Sequence, residues 1–318
     1  MSTTATLVAP GVGRSDRFGM RSQRRRSRYD WVAFVFLAPW LVGLFGLTLG
    51  PMLYSLYLSF TDYNLLAPTA SMVGLDNYVR IFTADDRALT SIGVTALYVF
   101  IGVPAILVVS LLVAMLLNSK LGFLTGYRAL FYLPSLLGAS VAVAALWRVI
   151  WGDEGIINKV LSMVGIEHSS WVGSPDTALM TLIVLAVWAF GSTMIIFLAG
   201  LKQVPNELYE AAEMDGAGKV RRFFSITLPM MTPIVFFNSL MVTINAFQAF
   251  TPAYVISGGT GGPADSTLFY TLYLYQQGFS QLNMGYASAL AWVLVLGLGI
   301  VTAVYFWSSK YWVHYGDN

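Results

Sequence analysis

An all-α membrane protein with six transmembrane helices is predicted by three observations on this 318-residue chain. Hydrophobic residues make up 57% of the sequence and charged residues only 11%, which is more apolar matter than a soluble core needs. The apolar residues fall into runs of roughly the 20 residues that a helix needs to cross a hydrocarbon layer. Basic residues cluster between alternate runs. The predicted spans are residues 32–53, 92–117, 130–150, 179–201, 234–256 and 286–307.

Residues 1–28, before the first span, are predicted to form a disordered basic tail. They hold seven arginines, including Arg24, Arg25 and Arg26. Such a cluster binds nucleic acid or anionic lipid in other settings, but beside a first span a topogenic, lipid-facing role is the simpler interpretation. We therefore predict contact with membrane lipid and none with nucleic acid. Residues 29–318 are predicted to form the transmembrane domain.

The orientation follows from the basic residues. Of the 18 lysines and arginines, 14 lie in the tail, the second and fourth connecting segments and the C-terminus. Cytoplasmic segments carry the excess of basic residues in membrane proteins. Both termini and the fourth connecting segment are therefore predicted to be cytoplasmic.

The interiors of the predicted spans contain one ionisable residue, Arg148, near the end of the third span. Proton relays and ion coupling use ionisable residues at membrane depth, so a proton-driven pump is disfavoured, although a sodium site made of carbonyls stays open. The chain has no cysteine, and its histidines, His168 and His314, lie far apart in sequence. We predict no metal site, no catalytic site and no cofactor within this chain.

Neutral polar and aromatic side chains are the chemistry that the spans do offer. Amides and hydroxyls beside aromatic rings suit an uncharged, polyhydroxylated solute. Asn245 and Gln248 are three residues apart and share a helix face. Buried amides in a membrane need partners, so either a solute or a neighbouring helix would satisfy them. The predicted substrate-path residues are Asn245, Gln248, Ser192, Trp188 and Thr193.

The fourth connecting segment, residues 206–218, is predicted to be an amphipathic helix that stops at a break. Glu207, Glu210 and Glu213 recur every three residues and form an acidic face. Small and apolar residues lie between them and allow another protein to approach closely. Asp215 and Gly216 mark the break, because glycine adopts conformations that end a helix.

This segment resembles the EAA loop of the membrane subunits of bacterial ABC importers. The matching string is Glu210-Ala211-Ala212, then Gly216, then Ile226-x-Leu228-Pro229. Much of the remaining chain is similar to the carbohydrate-uptake branch, related to the larger maltose and glycerol-3-phosphate permease subunits. The similar stretches include VGLDNYVRIF, YRALFYLP and GGPADST.

The resemblance implies a type I ABC importer permease fold, in which a separate ATPase subunit receives the EAA helix in a cleft. It also implies that Pro229 marks the start of the next helix. The chain has no phosphate-binding G-x-x-x-x-G-K-[ST] string, so ATP and Mg²⁺ are expected on the partner ATPases. The residues that this resemblance assigns to ATPase docking are Leu208, Glu210, Ala211, Ala212, Asp215 and Gly216.

The same resemblance implies the partners and the location. A second, homologous permease subunit would complete a heterodimer, and two ATPase subunits would dock on residues 206–218 and its counterpart. An extracytoplasmic solute-binding protein would dock on residues 61–89, 152–177 and 257–285. The expected location is the bacterial cytoplasmic (inner) membrane, with multiple passes.

The expected function is import of a di- or oligosaccharide. Met241 and Ser192 depart from the pattern of relatives, so the identity of the sugar stays open. One alternative is ABC import of glycerol-3-phosphate or a related phosphodiester, for which Arg148 is the basic residue that the spans offer. A more distant alternative is an ion-coupled secondary transporter.

Overall fold

The protein is helical throughout the part of the chain that the structure, a computed structural model, describes. One isolated antiparallel bridge, between Thr61 and Met72, is the exception within those residues. The predicted tail, residues 1–28, lies outside them. The described residues are 30–67, 69–118, 124–138, 140–165 and 170–314.

Fifteen α-helices occur in the described residues, with π-helical segments at Gly43–Leu49, Phe223–Thr227 and Gln276–Ser280. The α-helices are α1 Asp30–Val42, α2 Gly50–Leu58, α3 Asp76–Thr83, α4 Asp86–Leu117, α5 Leu124–Leu137, α6 Val141–Ile150, α7 Ile156–Ser162, α8 Pro175–Trp188, α9 Gly191–Leu201, α10 Asn206–Met214, α11 Lys219–Arg222, α12 Leu228–Phe247, α13 Thr251–Ser257, α14 Tyr270–Tyr275 and α15 Met284–Trp312. The chain divides into two compact units, Met1–Met52 and Leu53–Asn318. The core and the candidate sites belong to the second unit.

Four helical runs are long and apolar enough to cross a membrane: Phe34–Leu58, Asp86–Leu117, Lys219–Ser257 and Met284–Trp312. The predicted spans 130–150 and 179–201 are each a bent pair of helices rather than one continuous helix. Gly126–Leu137 and Val141–Ile150 meet at 98°, and Pro175–Trp188 and Gly191–Leu201 meet at 44°. Counting each pair as one span gives six for the described chain.

The core of the second unit is built around α4, which packs against α8, α9 and α12. At one end of α4, Ala114 and Leu117 pack with Phe197 of α9 and Met231 of α12. This is the end to which α10 connects, and we call it the loop end of the bundle. The opposite end, where α4 begins at Asp86, is called the far end.

The α-helix α12 begins at Leu228 with Pro229 in its first turn, which agrees with the prediction that this proline marks a helix start, although the helical run as a whole begins before it. Gly218 precedes the first turn of α11, and the helical run continues from Lys219 through the π-helical segment Phe223–Thr227 into α12. Proline removes a backbone donor and its ring crowds the carbonyl four residues earlier. The wider π-helical turn directly before Pro229 accommodates both effects without ending the helix.

Candidate functional site

The connecting helix α10 ends in a Schellman motif. The N–H of Ala217 donates to the carbonyl of Ala212 at 2.8 Å, and the N–H of Gly216 donates to the carbonyl of Glu213 at 3.0 Å. Gly216 has a φ of 75°, in the left-handed region that this motif requires. The α-helix stops at Met214, and the rest of the predicted segment 206–218 is this cap and the turn after it.

Gly216 has open space around it within this chain. Apart from Gly216 itself and its two chain neighbours, no heavy atom of the described residues lies within 4 Å of the position that a Cβ at residue 216 would take. The requirement for glycine within this chain comes from its backbone conformation.

The α10 surface is exposed, including apolar side chains that a folded subunit normally covers. Leu208 is 41% exposed and Met214 is 89% exposed. These side chains are therefore accessible to another molecule. Of the residues predicted to dock an ATPase, Ala212 is half-buried and the others are exposed, namely Leu208, Glu210, Ala211, Asp215 and Gly216.

Two side-chain contacts connect α10 to the helix that follows it. The hydroxyls of Tyr209 and Thr227 lie 2.9 Å apart, within hydrogen-bond distance. Arg222 Nη1 donates to Glu213 Oε2 at 3.1 Å. The first contact joins α10 to the π-helical segment and the second joins it to α11, so both link α10 to the start of the run that becomes α12.

A polar cavity of about 260 Å³ lies between α10 and the α11 region. Its wall combines small side chains of the loop with two arginines. The lining residues are Ala212, Asp215, Ala217, Arg221, Arg222, Ser225 and Ile226.

The two predicted amides, Asn245 and Gln248, lie at the other end of α12. Asn245 is about 26 Å along the helix axis from Leu228, at 1.5 Å per residue. Gln248 caps the helix with its backbone N–H donating to the carbonyl of Ile244 at 3.3 Å. Both residues are exposed, and neither side-chain amide bonds another described residue. Among the described residues, neither amide therefore makes the hydrogen bond to a neighbouring helix that was the alternative to solute contact.

Ser192 and Thr193 lie just after the break between α8 and α9. Gly191 begins α9, and a Cβ there would lie 2.6 Å from the carbonyl oxygen of Phe131. Glycine therefore allows α9 to approach α5 closely. Ser192 is exposed and Thr193 is half-buried, with its carbonyl accepting a 3.5 Å hydrogen bond from Asn238 Nδ2.

Trp188 is the last residue of α8 and lies against other tryptophans. Its ring centroid is 6.1 Å from that of Trp147, which in turn is 5.7 Å from Trp151. Trp147 Nε1 donates to the carbonyl of Thr181 at 3.0 Å and so fixes the middle ring. The Trp188 ring is both packed and 36% exposed, so packing and solute contact are compatible at this position.

A buried carboxylate network at the far end was not predicted from the sequence. Asp85 accepts hydrogen bonds from the hydroxyl of Tyr273 at 2.5 Å, from the hydroxyl of Tyr286 at 2.7 Å and from the N–H of Ala88 at 3.0 Å. The guanidinium of Arg80 lies 4.5 Å from the centre of the Tyr286 ring. The network connects α3, α4, α14 and α15 at one point.

The environment of Asp85 keeps its carboxylate ionised. Burial raises the pKa of Asp85, but the hydrogen bonds from Tyr273, Tyr286 and Ala88 and the charge of Arg80 outweigh that effect. The net result is a pKa below the usual value for aspartate. The only local sign in the sequence is an aspartate directly before a helix, which is a common N-cap pattern.

Arg148 lines a second polar cavity, of about 500 Å³, at the far end. The Arg148 side chain is exposed and forms no ion pair with the described residues. Its cavity is walled by α6, α13 and the loops beside them, with Asp153, Ser257 and Thr260 among the lining residues. Among the described residues there is no group of three or more His, Cys, Asp or Glu side chains placed to hold a metal ion.

The fold and the exposed α10 loop define a class of protein: an integral membrane subunit with an exposed connecting helix between its membrane-crossing segments. Residues 81–312 match the family described as "Binding-protein-dependent transport system inner membrane component", and the chain belongs to this family. It is therefore an ABC transporter permease, that is, a transport component. Permease subunits of these transporters lack an ATPase site of their own. Family membership also sets aside the alternative of an ion-coupled secondary transporter.

Curated relatives agree with this assignment along nearly their whole length. The chain is 49% identical over 297 residues to the probable ABC transporter permease protein YesP of Bacillus subtilis (strain 168), covering 93% of this chain and 96% of YesP. It is 35% identical over 276 residues to the sulfoquinovosyl glycerol transport system permease protein SmoG of Agrobacterium fabrum (strain C58), covering 86% of this chain and 89% of SmoG.

A solved structure shares the fold. It is the crystal structure of a bacterial alginate ABC transporter in complex with an alginate pentasaccharide-bound periplasmic protein. The TM-score is 0.74 at 20% identity, and the match covers 88% of this chain and 94% of that chain. The likeness establishes the fold, that of a type I ABC importer permease.

Proposed function

We propose that this chain forms, together with a second homologous permease subunit, the membrane path for a di- or oligosaccharide. An extracytoplasmic binding protein delivers the sugar, and ATP hydrolysis on two separate subunits drives its import. The observation that carries this proposal is the α10 helix, whose EAA string and Schellman end are exposed except at the half-buried Ala212 and Ala217. Membership of the binding-protein-dependent family supports it.

In this proposal the ATPase subunit binds α10. The protein lies in the cytoplasmic (inner) membrane of a bacterium, with α10 and both chain termini on the cytoplasmic side. Closure of two ATP-bound subunits would displace α10, and the contacts of Tyr209 and Arg222 would pass the displacement to α12. The proposed docking residues are Leu208, Glu210, Ala211, Ala212, Asp215 and Gly216. ATP and Mg²⁺ belong to the partner subunits.

The proposed solute contacts are the exposed polar groups of α12 and α9. Asn245 and Gln248 present amides with no partner among the described residues, and Ser192 presents a hydroxyl. Hydroxyl groups of a sugar are donors and acceptors for such groups. Thr193 and Trp188 lie beside Ser192 and complete the proposed path. SmoG belongs to a sulfoquinovosyl glycerol transport system and the solved transporter is an alginate transporter, so both relatives act on carbohydrates, which supports the same class here.

A second candidate substrate is glycerol-3-phosphate or a related phosphodiester. The observation that favours it is Arg148, an exposed guanidinium without an ion-pair partner among the described residues, in a polar cavity of about 500 Å³. Guanidinium groups bind phosphate through paired hydrogen bonds.

The test is isolation of the tagged chain from its native membrane in mild detergent, followed by identification of the co-purifying proteins and an ATPase assay. Recovery of a second permease and an ATPase is expected. The complex and its binding protein are then assayed in proteoliposomes for uptake of labelled maltose, alginate trisaccharide and glycerol-3-phosphate. Uptake of either saccharide supports the proposal, uptake of glycerol-3-phosphate alone supports the second candidate, and purification of the chain alone without ATPase activity overturns both.

A further inference from the structure

Four aromatic side chains form a corner at the far end, immediately after the amides of α12. Phe250 stacks on Tyr254 with ring centroids 5.3 Å apart and planes inclined by 29°. Tyr275 stacks on Phe279 at 5.2 Å and 26°. The two pairs meet where Tyr254 lies edge-on to Tyr275, at 5.5 Å and 82°. We call these four residues the aromatic corner.

The aromatic corner is fixed by polar contacts on both sides. Thr271 Oγ1 donates to the carbonyl of Ala249 at 2.5 Å, which joins the start of α14 to the end of α12. Gln276 Nε2 donates to the carbonyl of Gly259 at 2.8 Å. Gly259 has a φ of 82°, and a Cβ there would lie 3.2 Å from the Tyr254 ring, so glycine allows this backbone to lie against the ring. A site held in this way does not have to be ordered when a ligand binds.

Two of the four rings remain exposed in the folded chain. Phe279 is 62% exposed and Tyr254 is 38% exposed. The hydroxyls of Tyr254 and Tyr275 form no hydrogen bond with the described residues. Phe279 belongs to the π-helical segment Gln276–Ser280, and such segments occur frequently at functional sites.

One further polar atom at this place lacks a partner. Gln276 is 8% exposed, and its Oε1 accepts no hydrogen bond in the part of the chain that the structure describes. Buried acceptors of this kind are costly and are normally satisfied by water or a ligand. The aromatic corner thus combines open ring faces, two free hydroxyls and an unsatisfied amide oxygen, all of them uncharged.

We propose that the aromatic corner is a stacking subsite for a sugar ring at the far-end mouth of the path. The C–H face of a pyranose ring is apolar and packs on an aromatic face, while its hydroxyls bond neighbouring polar groups. Asn245 and Gln248 lie within the five residues before Phe250, so a sugar on the corner is next to the proposed path. The inference rests on the proposed import of a saccharide and adds a site at which the sugar first contacts this chain.

The test compares Phe279→Leu with Phe279→Tyr in the complete transporter, reconstituted with its binding protein. Leucine keeps an apolar side chain without a ring face, whereas tyrosine keeps the ring. Phe279→Leu is expected to raise the KM for uptake of the saccharide that the wild type imports, maltose or alginate trisaccharide, by about two- to tenfold. Phe279→Tyr is expected to match the wild type. Phe100→Leu, which replaces an 80% exposed ring on α4 outside the corner, is the matched control.

A direct signal comes from Phe279→Trp, with Phe100→Trp as its control. Adding the transported saccharide to the purified complex without the binding protein is expected to change the fluorescence of the first variant and not of the second. Basal ATPase activity and recovery of the complex should stay at wild-type values in the Phe100→Trp control. If Phe279→Leu reduces recovery of the complex, Tyr254→Leu replaces it in the same comparison.

Two outcomes overturn the inference while leaving import of a saccharide standing. One is wild-type KM in both leucine variants. The other is weaker binding of the binding protein by Phe279→Leu to the same extent with and without sugar, which would make the corner a protein-docking surface. Absence of saccharide uptake by the wild-type complex refutes the proposed function itself, and the inference with it.

Discussion

Substitutions of Gly216 distinguish two reasons why glycine could be needed at the end of α10: its left-handed backbone conformation and its lack of a side chain. The residue has a φ of 75° in a Schellman motif, and a Cβ at this position would meet no atom of the described residues within 4 Å beyond its own chain neighbours. Gly216→Ala therefore adds backbone strain without a clash. Gly218, two residues later, is also open but has a φ of −68°, which any residue adopts. Gly218→Ala is the matched control.

The magnitude follows from the backbone conformation alone. An L-residue other than glycine in the left-handed helical region costs about 1–2 kcal/mol. That free energy lowers the population of the Schellman end by a factor of about 5–30. If the ATPase binds α10 only in this conformation, Gly216→Ala is expected to reduce uptake by up to that factor. Gly218→Ala is expected to leave uptake unchanged.

Two more substitutions distinguish backbone strain at residue 216 from a steric clash between its side chain and a partner in the assembled complex. Asparagine tolerates the left-handed conformation, so Gly216→Asn relieves the strain but adds a side chain. Gly216→Asp adds a negative charge as well and is expected to abolish coupling while membrane insertion stays normal. Near wild-type uptake in Gly216→Asn indicates that conformation is the requirement. Uptake as low as in Gly216→Asp indicates that a partner closes around residue 216.

The assay is uptake in proteoliposomes together with ATPase activity and co-purification of the ATPase subunit. The variants must first be shown to reach the membrane in wild-type amounts. Normal uptake by Gly216→Asp would remove the docking assignment of α10. Equal losses in Gly216→Ala and Gly218→Ala would show that the strain argument is wrong.

Three further predictions concern other parts of the chain. Asn245→Ala combined with Gln248→Ala should raise the KM for sugar uptake about five- to 150-fold, for two hydrogen bonds lost, with co-purification of the ATPase unchanged; unchanged uptake would make both amides packing residues. Asp85→Asn should cost about 1–3 kcal/mol of stability at pH 7. Because the pKa of Asp85 is lowered in the folded protein, its carboxylate contributes fully to folding stability above about pH 4, and this contribution is lost as the pH falls through the folded-state pKa. The melting temperature of the wild type should therefore fall in that acid range, and that of Asp85→Asn should lack this step in thermal-shift scans. Identical pH profiles of the two proteins would contradict this. Glu213→Gln should shift the melting temperature by less than the Asp85 variant, since Glu213 is 71% exposed in its pair with Arg222 and such pairs contribute about 0–1 kcal/mol.

The loop was predictable because its signals are local. The helical pattern of residues 207–214 and the glycine after it determine α10 and its end through hydrogen bonds between residues at most five apart. The apolar runs located the membrane-crossing regions for the same reason. The exposure of Asn245 and Gln248 agrees with their prediction as path residues, and their contact with a solute stays a prediction.

The bends and the far-end network depend on residues distant in sequence. A Cβ on Gly138 would lie 2.6 Å from the Cβ of Ala189, so the break between α5 and α6 packs directly against the break between α8 and α9. In the sequence, both regions are uninterrupted apolar runs, so each was predicted as one continuous span. Asp85 and Tyr286 are 201 residues apart, and in the sequence they are an acid and an aromatic residue with no visible relation. Only tertiary packing joins them, and no local pattern encodes it.

The length of α4 has a mechanical consequence for the whole bundle. Its 32 residues make a rod about 48 Å long, while the hydrocarbon layer is about 30 Å thick. The helix must therefore tilt strongly or extend beyond the layer. Its loop end packs on α9 and α12, whereas its far end carries the Asp85 network. A rotation of roughly 5° about one end would sweep the other through about 4 Å, by the geometry of a rigid helix of this length. Small angular changes beside α10 are thus enlarged at the opposite face of the membrane.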